Sequence, residues 1–442
     1  MQSQNGATER GVRRIFLLAI AVSAAALAAA GCGSDTIQGP PNESNARASI
    51  VNDESALAVR VTDYTDASGV SSTDVPIETQ PSVTGYAPIR STRGPSPAAP
   101  ATVSLTLLAE AVPPSIGGRL LQATSIAVNG SKVVVSYNNA GLPIVGGIDV
   151  FLIANGSKTQ LKSQALFNDT KVHSITLNGN YVFAAEADNT DSPARFEVLG
   201  LNGPNLTLAG SSRTQLPSFA GTCAFVSPRY VYATSGDNGG LSVYSPDNSA
   251  SLVKHIPLHD ARWVHVDNGT VVVAQGTPGT IQVFDETTIG TAGGPVAAFS
   301  FPGSTVPESK STVQIVGEKA IVAAGDNGVL ILSLRTGKVL GHVPLPDNNV
   351  LGLPKSVVVT NAVSADASTG GTLLFLSNGE AGVYVAQVDT PFSQDWGETV
   401  HNPVIVGKLQ FGSLQSVNHV TYQDGLLIVA AGTGGVKIVR IK

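Results

Sequence analysis

The sequence predicts an all-β chain, a seven-bladed β-propeller whose last blade is closed by an N-terminal outer strand. Three observations carry this: a strand-turn-strand phrase that recurs seven times, a spacing that fits one blade per copy, and a lone upstream strand with no blade of its own.

The phrase joins a second strand ending in small residues, a Gly-rich or acidic turn and an apolar third strand, as in YVYATSGDNGGLSVY (230–244) and AIVAAGDNGVLILSL (320–334). Its third strands begin at Ile148, Phe196, Leu241, Ile281, Val329, Val383 and Val436, separations of 40 to 54 residues. Four short strands with their turns fit that period, whereas a helical repeat would need long runs of 3.6-residue periodicity. Fourth strands follow the first six units, from TQLKSQALF to NPVIVGKLQF, but not the seventh. The upstream ATVSLTLLAEAV, residues 101–112, is therefore expected to supply the outer strand of the last blade and to close the ring. The propeller domain is placed at 101–442.

Composition fits many turns and strands: 442 residues include 47 Gly and 26 Pro. A net charge of −6, only 13% charged residues and no basic stripe exclude nucleic acid as an expected partner.

At the N-terminus Arg10, Arg13 and Arg14 precede the apolar run 15–30, which ends at Gly31-Cys32. Sixteen residues fall short of the roughly 20 that a membrane-spanning helix needs, so residues 1–31 read as a cleaved signal peptide. Ala-Ala-Ala-Gly-Cys resembles the lipobox of bacterial lipoproteins, with Ala29 where Leu is usual. That resemblance implies lipid on Cys32, a membrane partner through it, and export; Gly33 rather than Asp after the Cys points to the outer membrane or cell surface. Prolines at 40, 41, 76, 81, 88, 95, 97 and 100 among Ser and Thr make 32–100 a disordered tether, reaching roughly 40 to 50 Å. Its one apolar island, ALAVRVTDY (56–64), is a candidate strand for docking on the ring.

The repeats also resemble the bacterial LVIVD-repeat propellers, through Tyr230-Val231-Tyr232-Ala233 followed by Asp237 to Tyr244, and through Ala320 to Ala324 followed by Asp326 to Ile331. The Asp often found after the third strand has only Asp285 and Asp389 as counterparts here. The resemblance implies an exported or surface-anchored propeller and brings no catalytic residue.

Candidate chemistry is sparse. Cys223 in GTCAFV fits a buried small apolar position, with no His or basic residue beside it to activate a thiol. The turns at Asp188–Asp191, Asp237–Gly239 and Asp326–Gly328 lack the oxygen spacing of a calcium loop and read as hairpin turns. His255 and His259 flank Pro257 and need not converge, so neither metal nor cofactor is expected. Leu334 to Lys338 superficially resembles the TGK element of quinoprotein propellers, yet it occurs once and without the accompanying Trp.

One column of polar residues starts the inner strands: Thr124, His173, Thr222, Arg262, Thr312, Lys355 and Asn418 or His419. Polar strand ends near water explain it; alternatively His173, Arg262, Lys355 and His419 form an anion or small-ligand site at the channel mouth. Blade 6 carries two long loops, 361–372 and 389–403, the second holding Phe392 and Trp396 as candidate partner-binding anchors. The sequence thus favours a non-enzymatic, monomeric scaffold that binds envelope protein or polysaccharide, with an enzyme or small-ligand receptor at the channel mouth as the alternative.

Overall fold

In the computed structural model the repeating phrase becomes seven antiparallel blades of four strands, three of them widened by added N-terminal strands, and in the first six the innermost strand comes first in sequence. The structure describes residues 42–65, 77–79, 105–153, 158–247, 249–291, 293–307, 309–409 and 415–441. All of them fall in one unit, 39–442, while a second, 1–38, lies outside the described residues.

Blade 1 runs from Gln122–Asn129 to Gln160–Phe167, and blade 2 from Thr170–Asn178 to Asn205–Gln215. Blade 3 spans Cys223–Val226 to Leu252–Pro257, blade 4 Ala261–Asp267 to Ala297–Ser300, and blade 5 Val313–Val316 to Val339–Val343. Blade 6 runs from Ala362–Ala365 to Val404–Leu409. Blade 7 takes its inner three strands from His419–Gln423, Leu426–Ala430 and Val436–Ile441, and its outer strand from Leu105–Ala111, where Val436 faces Ala111 and Ile441 faces Leu105. The ring is closed as the lone upstream strand requires.

A blade is covered by a neighbour on each face, so its middle strands are apolar on both sides rather than alternating. Val133, Val134 and Val135 are all buried, as are Val271, Val272 and Val273. The core accordingly lies between blades. Leu105, Phe375, Val385, Val420 and Leu427 form one cluster across blades 6 and 7, and Phe196 stacks on Tyr244 across blades 2 and 3 at 4.4 Å. Turn chemistry follows the sequence: Asn238 and Gly328 adopt φ of 54° and 74°. A Cβ on Gly328 would stand 2.1 Å from the Val343 carbonyl, so only glycine fits there.

Part of the expected tether is instead built into the ring. Ala48–Val51 adds to the outer strand of blade 1, Val61–Asp63 to that of blade 7, and Ile77–Thr79 to that of blade 6. Between the first two, Asp53 caps the short helix Glu54–Ala58 by accepting from Ser55 N, and Leu57 enters the core at the seam of blades 1 and 7. The apolar island therefore divides into half a helix and a short docking strand. The physical reason is the open edge: outer strands present unpaired amides and carbonyls that a nearby segment satisfies. Residues 32–41, 66–76 and 80–100, with Cys32 and the signal-peptide stretch, lie outside the described residues.

Candidate functional site

Antiparallel order places the connections into each innermost strand, and those from second to third strand, at one face of the ring. The polar column converges here, and its main work is stitching blade to blade. Thr124 Oγ1 donates to Val172 O at 3.0 Å, and Thr222 Oγ1 to Ala261 O at 2.9 Å. His173 Nδ1 lies 2.9 Å from Gly221 O, Thr312 Oγ1 accepts from Val363 N at 3.3 Å, and Asn418 Nδ2 donates to Ala123 O at 2.9 Å. These polar residues satisfy backbone groups that a junction between sheets would otherwise strand.

Two of the four candidate ligand residues are placed differently from expectation. Arg262 is buried and committed: it pairs with Asp260 at 2.8 Å and its Nη1 donates to Ser309 O at 2.8 Å and Val306 O at 3.3 Å. Its guanidinium lies over Gly276, where a Cβ would sit 2.0 Å from Nε. Lys355 is exposed in the 3₁₀ turn Lys355–Val357 and does not start an inner strand. The run Val357-Val358-Val359 resembles a strand, but the inner strand of blade 6 is Ala362–Ala365, inside the stretch read as a loop. His173 and His419 do lie at the channel. Burial lowers the pKa of His173 to about 4 and that of His419 to about 3, so both are neutral at pH 7.

The cation at the centre is Lys310, which sequence reasoning missed. It lies two residues before the column, in the connection from blade 4 to blade 5, and nothing in PESKST (307–312) marks it. Arg262 holds that connection from below; Thr305 donates to Asp326 through its amide at 2.8 Å, and Asn327 Nδ2 donates to Gly303 O at 2.8 Å. Lys310 thereby crosses to the opposite side of the ring, where Nζ donates to Thr124 O at 2.6 Å and His173 O at 3.1 Å. Trp263 lies 6.0 Å from the ammonium and 5.5 Å, ring to ring, from His419. Burial lowers the pKa of Lys310 to about 8. Beside it a cavity of about 410 Å³ opens between the connections of blades 4 to 7.

Phe392 and Trp396 face inward. Both are buried in the core of blades 5 and 6, 5.4 Å apart, with Trp396 Nε1 donating to Pro391 O at 3.0 Å and Lys319 Nζ 5.2 Å from its ring. The long loop folds back to cap the blade, so these aromatics are no partner-facing anchors. Cys223 is buried as expected, and burial pushes its thiol up to about 12. Asp188 accepts from Thr190 Oγ1 at 2.7 Å and pairs with Arg195 at 2.8 Å, the work of a turn and an ion pair. Among the described residues no three His, Cys, Asp or Glu side chains gather as metal ligands.

Seven sheets, one closed seam and a channel occupied by a lysine define a β-propeller. No family model matches the chain, and no curated protein matches it in sequence. Among solved structures it is similar to the computationally designed Ika8 protein, at 14% identity and a TM-score of 0.44 over 74% of this chain and 98% of that one. BamB from Moraxella catarrhalis aligns at 12% identity and 0.43 over 78% and 89%, and Hsv2 of Kluyveromyces lactis at 13% and 0.42 over 70% and 89%.

Proposed function

We propose that the protein is an exported bacterial lipoprotein of the LVIVD-repeat type, tethered through Cys32, that works as a non-enzymatic binding scaffold at the cell envelope. A rigid ring carrying loops suits that role. The observation that carries the reading is a set of large apolar side chains exposed on the mouth face: Val112, Leu120, Leu142, Phe219 and Val350. Leu142 and Phe219 are 73% and 63% exposed. Arg119 Nη1 donates to Leu142 O at 2.7 Å, which holds the hairpin of Ser115–Ile116 and Arg119–Leu120 against the Leu142 loop and groups Leu120 with Leu142. Grouped apolar side chains on a water-facing surface mark interaction sites.

A photo-crosslinking residue at position 142 or 219, introduced in the producing cell, should yield one discrete adduct, and Leu120→Ser should weaken the adduct formed from position 142. Absence of any adduct from both positions counts against the scaffold. The anchor is tested separately: Cys32→Ser should move the protein from the membrane to the soluble fraction, and an unchanged distribution refutes lipidation.

A further inference from the structure

The cavity beside Lys310 carries two opposite charges that do not pair with each other. Lys310 and Glu380 both line it, along with Val306, Ser309, Val357 and Asn418. Their charged atoms lie beyond ion-pair distance, and among the described residues neither Lys310 nor Glu380 has an ion-pair partner. A lysine ammonium has three donors, and two are spent on the carbonyls of Thr124 and His173. A cation so deeply placed is normally compensated by an anion, because neutral carbonyls return only part of the lost hydration. Lys310 is half-buried, and its ammonium bonds the Thr124 carbonyl next to the Ala123 carbonyl that Asn418, another lining residue, bonds. Ser309 also lines the cavity, and its buried Oγ has no hydrogen-bond partner among the described residues.

We propose that this cavity binds a small zwitterion, an amino acid or a short peptide, with its carboxylate toward Lys310 and its ammonium toward Glu380. A ligand with only a carboxylate meets repulsion from Glu380, and one with only an ammonium meets it from Lys310. The apolar lining of Val306 and Val357 leaves room for a side chain. The site is independent of the scaffold role, since it lies in the channel mouth and uses none of the exposed apolar residues.

The test is thermal-shift and calorimetric titration of the full chain with each of the twenty amino acids and with glycylglycine, using succinate and ethanolamine as controls that carry charge of one sign only. At least one zwitterion should bind, and succinate and ethanolamine should bind at least about tenfold more weakly, the value of one charged hydrogen bond. Lys310→Met should lose the zwitterion. Glu380→Gln should weaken the zwitterion about tenfold and improve succinate, an inversion that mere damage to the fold cannot produce. If Lys310→Met fails to fold, Glu380→Gln alone decides. No binding by any zwitterion at millimolar concentration, equal binding of succinate, or affinities unchanged in Glu380→Gln overturns the proposal.

Discussion

Three imidazoles sit on the inner strands of blades 2, 4 and 7 and are held neutral by burial, His173 and His265 at about 4 and His419 at about 3. The unfolded chain takes up these protons near pH 6.5, the folded chain only near 3 to 4, so the unfolded state binds more protons across that interval. Stability should fall as pH is lowered from about 6.5 toward 4. A pH series of melting temperatures checks this, and His419→Phe should flatten it; a flat wild-type profile would contradict the buried neutral state. Lys310 acts in the same direction in an alkaline window: with a folded pKa of about 8 against about 10.4 unfolded, its charge weighs on the fold at neutral pH and stability rises with pH between those values. Arg262 illustrates why the column was only half legible. A polar residue at a strand start is visible in sequence, but whether its donors are free depends on Asp260, Val306 and Ser309, and two of those lie more than forty positions away. Arg262→Ala should cost about 3 kcal/mol, because it strands the Asp260 carboxylate and the carbonyls of the Lys310 connection, and urea unfolding would measure it.

The N-terminal strap shows what element-scale signals reveal and conceal. Third strands such as Val329–Ser333 could be read because continuous apolar runs bounded by Gly turns have few alternatives. Val61–Asp63 was legible as part of the apolar island 56–64, but Ala48–Val51 was not, since a four-residue edge strand between polar stretches looks like a tether until an open edge is offered to it. The strap is held by more than backbone pairing. Arg60 forks onto Asp149 at 2.6 and 3.0 Å and donates to Val112 O at 2.8 Å, joining blades 1 and 7; Arg47 pairs with Glu197 of blade 2. Asp149 is fully buried, so Arg60→Ala leaves a carboxylate without its partner and should destabilise the fold by about 3 to 5 kcal/mol. Blade 6 supplies the contrasting case. Trp396 was legible as an unusual residue in an unusual loop, but the inward turn of that loop depends on packing against Phe392 and His401. Trp396→Ala should cost about 3 to 5 kcal/mol as a core truncation, and equilibrium unfolding distinguishes that from an interface role, which would leave stability unchanged.

At the scale of the whole ring, the join that the backbone does not span lies inside blade 7, between its third and outer strands, and there non-covalent closure takes over. Leu105–Ala111 secures it by pairing with Val436–Ile441, and Ala123 with Gly432 adds a bridge at the mouth. Deleting residues 105–111 should lower the cooperativity of unfolding as well as its midpoint, with blades 1 and 7 losing hydrogen-exchange protection first. A deletion that melts like the intact chain would refute closure. The same pairing sets the order of events while the chain is being made. Leu105–Ala111 emerges more than three hundred residues before its partner strand, so a bare apolar edge waits through nearly the entire synthesis of the ring. Contacts this distant in sequence form slowly, and an unpaired edge recruits other chains in the interval. A chaperone that binds extended segments should therefore grip the 105–111 stretch on nascent chains and release it only after residues 436–441 appear.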